Sequence, residues 1–162
     1  MIDAYAHHSE LTEKQYTAIG YIVRSFSVLE RAMGVAALDI LAWPNPLDEE
    51  PPQAKEICKA TFQKRLKLFL SHYRARIRSD QWSNEFEYGV SDLGRWRDGV
   101  CHGIWEFLDQ DTMRLTFFDR ASADGITAIP EQIVSTKEVF GLANAANYWS
   151  YILEQKPWRN TS

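Results

Sequence analysis

Arg97, Asp98 and His102 are the residues of this chain whose types and spacing are best suited to chemistry. Asp98 and His102 lie four positions apart, so on a helix they share one face, and the carboxylate can accept a hydrogen bond from the imidazole. Arg97 and His102 are about 140° apart around a helix axis, yet both can border a common cleft because the arginine side chain is long. Since an imidazole transfers protons near neutral pH, the three residues form a candidate site for proton transfer beside a cation.

Other interpretations of these residues remain open. His102 can be a structural histidine, and Arg97 can be a surface charge paired with Asp98 or with Glu30. Glu30 itself either forms a salt bridge with an arginine or lines the same cleft. We expect Cys101 to be a small buried side chain, because adjacent helical positions point apart and do not pair for catalysis. No set of His, Cys, Asp and Glu has metal-ligand spacing, so neither a metal nor another cofactor is predicted.

The segment around this site is unusually rich in glycine, with Gly89, Gly94, Gly99 and Gly103 within one probable helix. Each glycine inside a helix costs roughly 1 kcal/mol relative to alanine. We therefore expect a compensating close approach of another helix, another subunit or a ligand to the backbone. The alternative is that Gly103 ends the helix and Gly89 marks a break.

Helical spacing of apolar residues predicts three helices before this point. The first opens at a capping box formed by Thr12 and Gln15 and ends at the run 43–46, which contains two prolines. The second runs from near Pro52 to about Ile77. The third covers roughly 81–103 and is capped by Ser79 or Asp80.

The pattern changes after the third helix. Short β-prone runs separated by turn residues predict an antiparallel meander; they cover residues 104–108, 113–118 and 126–129. A second capping box over residues 134–139 then opens the last helix. The fold class is therefore mainly α: a helical bundle of about four principal helices with a small antiparallel β meander between the third and last helices. We expect one domain over 1–162, with a loose N-terminal arm at 1–10 and a β insertion at 104–130.

Composition limits the class of protein. The chain has 162 residues, of which 45% are hydrophobic and 13% aromatic, and this excludes a wholly disordered protein. No segment is apolar over the length that a bilayer requires, and no secretory signal is visible. The two cysteines show no C-x-x-C pattern, which favours reduced thiols. We expect a cytoplasmic protein with no membrane partner.

Charge is distributed unevenly along the chain. The formal net charge is −4, which argues against a nucleic-acid partner for the surface as a whole. However, residues 59–78 hold seven basic residues and no acidic one. Four of these basic residues follow one helical stripe that can contact RNA phosphates, namely Lys64, Lys67, Arg74 and Arg78. The alternative is a solvated face that balances acids on neighbouring helices or on a second subunit.

The motif of Arg97 followed by Asp98, and of His102 followed by Gly103, resembles the signature of HEPN (higher eukaryotes and prokaryotes nucleotide-binding) domains. In that family the arginine and histidine lie on a late helix of an all-α bundle. The earlier run from Phe26 to Glu30 is similar to relatives of the group, as is the β excursion before a capped final helix. The resemblance covers most of the chain in layout, although its specific part is about seven residues.

This resemblance implies a metal-independent endoribonuclease that acts as a homodimer, with two Arg–His motifs facing each other across one cleft. His102 would then move the proton of the ribose 2′-hydroxyl or of the leaving oxygen. Arg97 would bind the scissile phosphate and stabilise the developing negative charge, and Asp98 would orient one or both. Because some members of the family are inactive, the alternative is a non-catalytic dimerisation or binding module, such as a regulatory or toxin–antitoxin-type partner of another protein.

Overall fold

The structure is a computed structural model that describes residues 10–42, 53–77, 80–116, 118–119, 127–128 and 131–160. Within these residues the chain is mainly α with a small antiparallel sheet, as predicted. The helices are α1 (Glu13–Leu41), α2 (Gln53–Lys59), α3 (Phe62–Arg76), α4 (Gln81–His102), α5 (Thr136–Glu154) and a final 3₁₀ turn (Pro157–Asn160). The strands are β1 (Ile104–Phe107), β2 (Thr112–Thr116), β3 (Phe118–Asp119), β4 (Thr127–Ala128) and β5 (Gln132–Ser135).

The chain forms two compact units. The first, which we call the sheet unit, consists of Met1–Arg24 and Trp96–Ala143, and it contains all the strands. The second, which we call the aromatic unit, consists of Ser25–Arg95 and Asn144–Ser162. In the described residues, no helix is both long and apolar enough to cross a membrane. The predicted N-terminal arm lies, apart from residue 10, outside the described residues.

Local capping signals set the starts of the long helices, as predicted. The Thr12 N–H donates to Gln15 Oε1 at 2.8 Å, and the Gln15 N–H returns a bond to Thr12 Oγ1 at 3.2 Å. The same reciprocal pair forms at α5, where Ser135 and Glu138 exchange bonds of 2.6 and 3.1 Å. At α4, Asp80 Oδ1 accepts an N–H of the first turn at 2.9 Å. Each box satisfies N–H groups that a helix start leaves unpaired.

The single helix predicted from Pro52 to Ile77 is wrong, because the chain forms α2 and α3 with a break at residues 60–61. The Arg65 guanidinium explains the break. It donates to Ala60 O at 3.0 Å and to Cys58 O at 2.8 Å, so the carbonyls at the end of α2 are satisfied without a continuing helix. It also donates to Glu30 O on α1 at 3.2 Å.

Aromatic side chains form the core of the aromatic unit. The ring of Phe69 on α3 has four aromatic neighbours with centroid distances of 5.1–6.3 Å, namely Tyr73, Trp82, Phe86 and Trp158. Two glycines of α4 also pack closely here. A Cβ at Gly89 would lie 2.9 Å from Trp149 Nε1, and one at Gly94 would lie 3.0 Å from Phe62 Cε1. The predicted close approach to the glycine-rich helix is confirmed at both positions.

The Asp39 carboxylate of α1 ties the final 3₁₀ turn to the aromatic unit. It accepts hydrogen bonds from Lys156 Nζ at 2.7 Å, Trp158 Nε1 at 2.9 Å and Arg159 Nε at 3.0 Å. We call this group the Asp39 clamp. Burial raises the pKa of this carboxyl, but its three donors outweigh burial and hold the pKa below the ordinary value.

The Asp39→Asn variant is expected to lose about 2–3 kcal/mol of stability near neutral pH, because hydrogen bonds to a charged group are worth about that much. Since the native pKa is lowered, the contribution of Asp39 is present above the unfolded pKa of about 3.9 and is lost as pH falls through the native value. The difference in the free energy of unfolding between wild type and Asp39→Asn should therefore become smaller at acid pH. Urea unfolding at several pH values measures this gap, with the exposed Lys14–Asp111 pair, broken by Asp111→Asn, as the matched control. Equal losses in the two variants would contradict the prediction.

The sheet of the sheet unit has the order β1-β2-β5, and both pairings are antiparallel. A small antiparallel sheet in this region is confirmed, and a strand, β4, forms within the predicted run 126–129, but β4 is not the third strand of this sheet. Residues 127–128 pair instead with β3 in a separate two-stranded sheet, and β5 takes the third position. The register places Val134 of β5 opposite Met113, and both side chains are buried. Burial of this apolar pair favours β5 as the partner of β2.

Candidate functional site

Arg97, Asp98 and His102 lie in the last turns of α4, inside the sheet unit. The Arg97 side chain is 24% exposed and donates from Nη1 to Asp98 Oδ1 at 2.9 Å, whereas the Asp98 side chain is 65% exposed. His102 is the last residue of the helix and its side chain is exposed. The arrangement places a restrained guanidinium and an accessible imidazole within about one and a half helical turns of each other.

Asp98 takes a different partner from the one that its spacing predicts. Its carboxylate receives the hydrogen bond from Arg97, and a bond between Asp98 and His102 is absent from the described residues. An ion pair between neighbouring, partly exposed side chains is weak, but it restricts the rotamers of Arg97. In this structure Asp98 therefore restrains the side chain of Arg97 rather than that of His102.

Gly103 fixes the end of α4, directly after His102. Its N–H donates to Gly99 O at 2.7 Å, which closes the last turn of α4. A Cβ at Gly103 would collide with that same oxygen, and would lie 2.5 Å from Leu115 Cδ1 and 2.9 Å from Thr116 O of β2. Only glycine fits between the helix end and the sheet. The sequence predicted either a close approach to Gly103 or the end of the helix there, and both occur, but it did not indicate that Leu115 and Thr116 are the contacting residues.

The cysteine beside the site does not lie where the sequence predicted. Cys101 is exposed rather than buried, and Cys58 is also exposed. The last turn of α4 has an open side, so a residue next to His102 is not forced into a core. Within the described ranges, no group of His, Cys, Asp and Glu side chains is placed to hold a metal ion.

Glu30 belongs to the aromatic unit, and it is half-buried. Its backbone oxygen accepts the hydrogen bond from Arg65 described above. This contact gives Glu30 a place at the junction of α1, α2 and α3. The contact uses the backbone of Glu30 rather than its carboxylate, so a structural role and a place in the cleft both stay open for this side chain.

Two of the four residues of the predicted basic stripe form ion pairs within the aromatic unit. Lys64 Nζ lies 2.9 Å from Glu56 Oε1, and Arg74 Nη2 lies 2.6 Å from Glu87 Oε2. Lys67 is exposed, and Arg78 lies outside the described residues. These pairs support the alternative in which the stripe balances neighbouring acids.

The aromatic unit also has a groove on its surface. It has a volume of about 320 Å³, and it is lined by residues of α1 and of the segment from the end of α5 through the 3₁₀ turn. Its apolar members include Val28, Ala32 and Val35. None of Arg97, Asp98 and His102 contributes to it. The candidate site lies at a helix end, where Arg97 is half-buried and the His102 side chain is exposed.

Comparison with protein-family models, with curated proteins and with solved structures finds no match.

Proposed function

We propose that this chain is an HEPN-like, metal-independent endoribonuclease whose catalytic residues are Arg97 and His102. One observation carries the proposal: the arginine and the histidine of the motif share the end of α4, and the following glycine is held where no side chain fits. A rigid helix end holds functional groups more accurately than a mobile loop does. The proposal also places the activity in the cytoplasm, where exposed cysteine side chains such as Cys58 and Cys101 remain reduced.

His102 supplies the proton transfer in the proposed reaction. Its imidazole removes the proton of a ribose 2′-hydroxyl, whose oxygen attacks the adjacent phosphorus. The new bond from the 2′-oxygen to phosphorus forms as the bond to the 5′-oxygen breaks, and the leaving oxygen takes up a proton. A histidine exposed at a helix end is accessible to such a substrate.

Arg97 binds the phosphate in the proposed reaction. A guanidinium carries five N–H donors, so it can hold Asp98 and also contact phosphate oxygens. These donors stabilise the negative charge that grows on the phosphate in the transition state. Asp98 is a positioning residue, because it contacts the guanidinium at 2.9 Å and restrains it.

A homodimer completes the proposed site. The reaction needs a base at the 2′-hydroxyl and an acid at the leaving oxygen in the same event. One chain offers one histidine in this motif, so two copies with their motifs across a common cleft supply both groups. The dimer is thus part of the proposal, as is RNA as the substrate.

The purified chain is expected to cleave RNA with EDTA in excess. Single-stranded RNA labelled at the 5′ end is incubated with the protein, and its fragments are resolved by gel electrophoresis. The same sequence as DNA serves as the control, because it lacks the 2′-hydroxyl that attacks the phosphorus. Cleavage that requires a metal, or equal cleavage of DNA, would contradict the mechanism.

A non-catalytic binding module is the second candidate function. The pairing of Arg97 with Asp98 favours it, because the carboxylate offsets the positive charge that a phosphate would meet. This candidate predicts stable self-association or a captured protein partner without any RNA cleavage. Intact RNA after prolonged incubation with a folded, dimeric protein would favour this second candidate over the first.

A further inference from the structure

The free edge of β1 presents backbone groups that the sheet does not use. In an antiparallel pair, residues alternate between hydrogen-bonded and non-bonded positions. The Leu108 N–H donates to Thr112 O at 3.3 Å, so Leu108 occupies a hydrogen-bonded position. Counting back along β1, Glu106 and Ile104 occupy hydrogen-bonded positions as well. Trp105 and Phe107 therefore occupy non-bonded positions, and their N–H and C=O groups point away from β2. Among the described residues, no hydrogen bond reaches these four groups.

The opposite edge of the sheet, on β5, is partly closed. The bond from the Thr136 N–H to Asp111 O, of 2.8 Å, shows that Ile133 and Ser135 carry the outward-pointing groups. However, the Ser135 N–H already donates to Glu138 in the capping box. The free groups of β5 are therefore fewer than those of β1.

The side chains of β1 also leave its edge unprotected. Exposed edge strands usually carry lysine, proline or a bulge that prevents pairing with another strand. The sequence of β1 is Ile-Trp-Glu-Phe, with Glu106 as its single charged residue. Glu106 Oε2 lies 3.7 Å from Arg114 Nη1 on β2. Ile104 at the start of the strand is 55% exposed. This edge is therefore suited to accept a further strand.

We propose that β1 of a second copy of this chain adds to this edge in antiparallel orientation, with the two-fold axis at Glu106. The two residues with free groups lie two positions apart, so the axis places Trp105 of each copy opposite Phe107 of the other. All four free backbone groups of each copy are then paired. The edge is therefore complementary to itself, and we take a second copy as the occupant because the same register also brings an aromatic side chain opposite each aromatic side chain.

The side chains agree with this register. Trp105 and Phe107 share one face of β1, so each half-buried tryptophan gains an aromatic neighbour from the other copy. On the other face the two Glu106 side chains meet at the axis. Arg114 of the same copy offsets part of their repulsion, since its Nη1 lies 3.7 Å from Glu106 Oε2 while its Nε lies 3.3 Å from Glu131 Oε2.

This contact does not rest on the proposed function, because it uses only the edge of the sheet. It is also distinct from a cleft between two Arg97–His102 motifs. RNA cleavage and strand pairing can therefore be lost separately, and each has its own measurement.

Cysteine cross-linking tests the register directly. In a background with Cys58→Ser and Cys101→Ser, the Glu106→Cys variant is expected to form a disulfide-linked dimer under mild oxidation. The two Cα atoms at the axis would lie about 4.5 Å apart, which a disulfide can span. Ile133→Cys is the matched control, since Ile133 lies on the same face of the other edge strand and is 65% exposed.

A covalent dimer of Glu106→Cys on a non-reducing gel, without one of Ile133→Cys, supports the contact. No dimer of Glu106→Cys, or equal dimer in both variants, overturns it. If another protein's strand occupies the edge instead, the purified Glu106→Cys variant forms no disulfide-linked dimer, which also overturns the proposal.

A proline substitution tests the backbone bonds without a new thiol. Phe107→Pro removes an outward N–H of β1 and leaves the β1–β2 bonds intact, while Ile133→Pro does the same at the β5 edge. Sedimentation is expected to show a smaller assembly for Phe107→Pro than for wild type and for Ile133→Pro. Equal masses in all three would overturn the contact, and the cross-linking result decides the matter if Phe107→Pro fails to fold.

Discussion

Replacement of His102 by alanine is expected to lower the rate of RNA cleavage about 10²–10⁴-fold, the range that a general acid or base contributes. The fold should survive the change, because the side chain is exposed and ends its helix. Arg97→Ala is expected to reduce cleavage by a similar factor, because it removes the donors that stabilise the phosphate. Both rates are measured from single-turnover cleavage of the labelled RNA in EDTA.

Neighbouring residues of the same helix provide matched controls. Arg95→Ala removes an exposed arginine two positions before Arg97, and Cys101→Ser changes the exposed residue next to His102. Both controls should cleave at the wild-type rate. If His102→Ala cleaves as fast as Cys101→Ser, His102 is not catalytic and the proposed activity fails.

The Gly103→Ala variant is expected to be less stable than wild type by about 2–3 kcal/mol, since overpacking at a filled site costs that much. Its Cβ would meet the Gly99 carbonyl oxygen and a backbone oxygen of β2, and neither is the end of a flexible side chain. Either the helix end or the strand must shift. Because Gly103 follows His102 directly, the variant should also lose RNA cleavage.

Gly141→Ala is the control for this change, because Gly141 lies within α5 and a Cβ there meets nothing within 4 Å. That variant should be more stable than wild type by roughly 0.5–1 kcal/mol, the usual gain of alanine over glycine inside a helix. Urea unfolding of the three proteins gives both differences. A Gly103→Ala protein as stable as Gly141→Ala would show that β2 does not press on the helix end.

The parts of the fold that short segments determine could be predicted from the sequence. The capping boxes at Thr12 and Ser135 need only residues three positions apart. The end of α1 and the start of α4 follow from local signals in the same way. Glycine spacing also predicted close packing on α4 correctly, although it did not say which side chains approach.

The errors arose where distant residues decide the local structure. The helix break after Lys59 depends on Arg65, which also reaches a carbonyl 35 positions earlier in the chain. The sequence did not predict β5, because the end of this four-residue strand coincides with the capping signal of α5. The segment forms a strand only by pairing with β2. Periodicity within a segment carries no information about either contact.

The candidate site was predictable in position but not in detail. The spacing of Arg97 and His102 placed both at a helix end, which the structure reproduces. However, the spacing allows Asp98 to accept a hydrogen bond from Arg97 or from His102. The side-chain conformations, which spacing does not determine, make Arg97 the donor. The burial predicted for Cys101 failed because the packing of a helix end depends on residues outside its own segment.

The Asp39 clamp joins residues that are 117–120 positions apart in the chain. Contacts at such large separation close a long loop, so we expect them to form after the rate-limiting step of folding. Interactions absent from the folding transition state leave the folding rate nearly unchanged and slow the unfolding rate. The Asp39 clamp therefore sets the lifetime of the native state. Without it the chain would fold at about the same rate but would unfold faster.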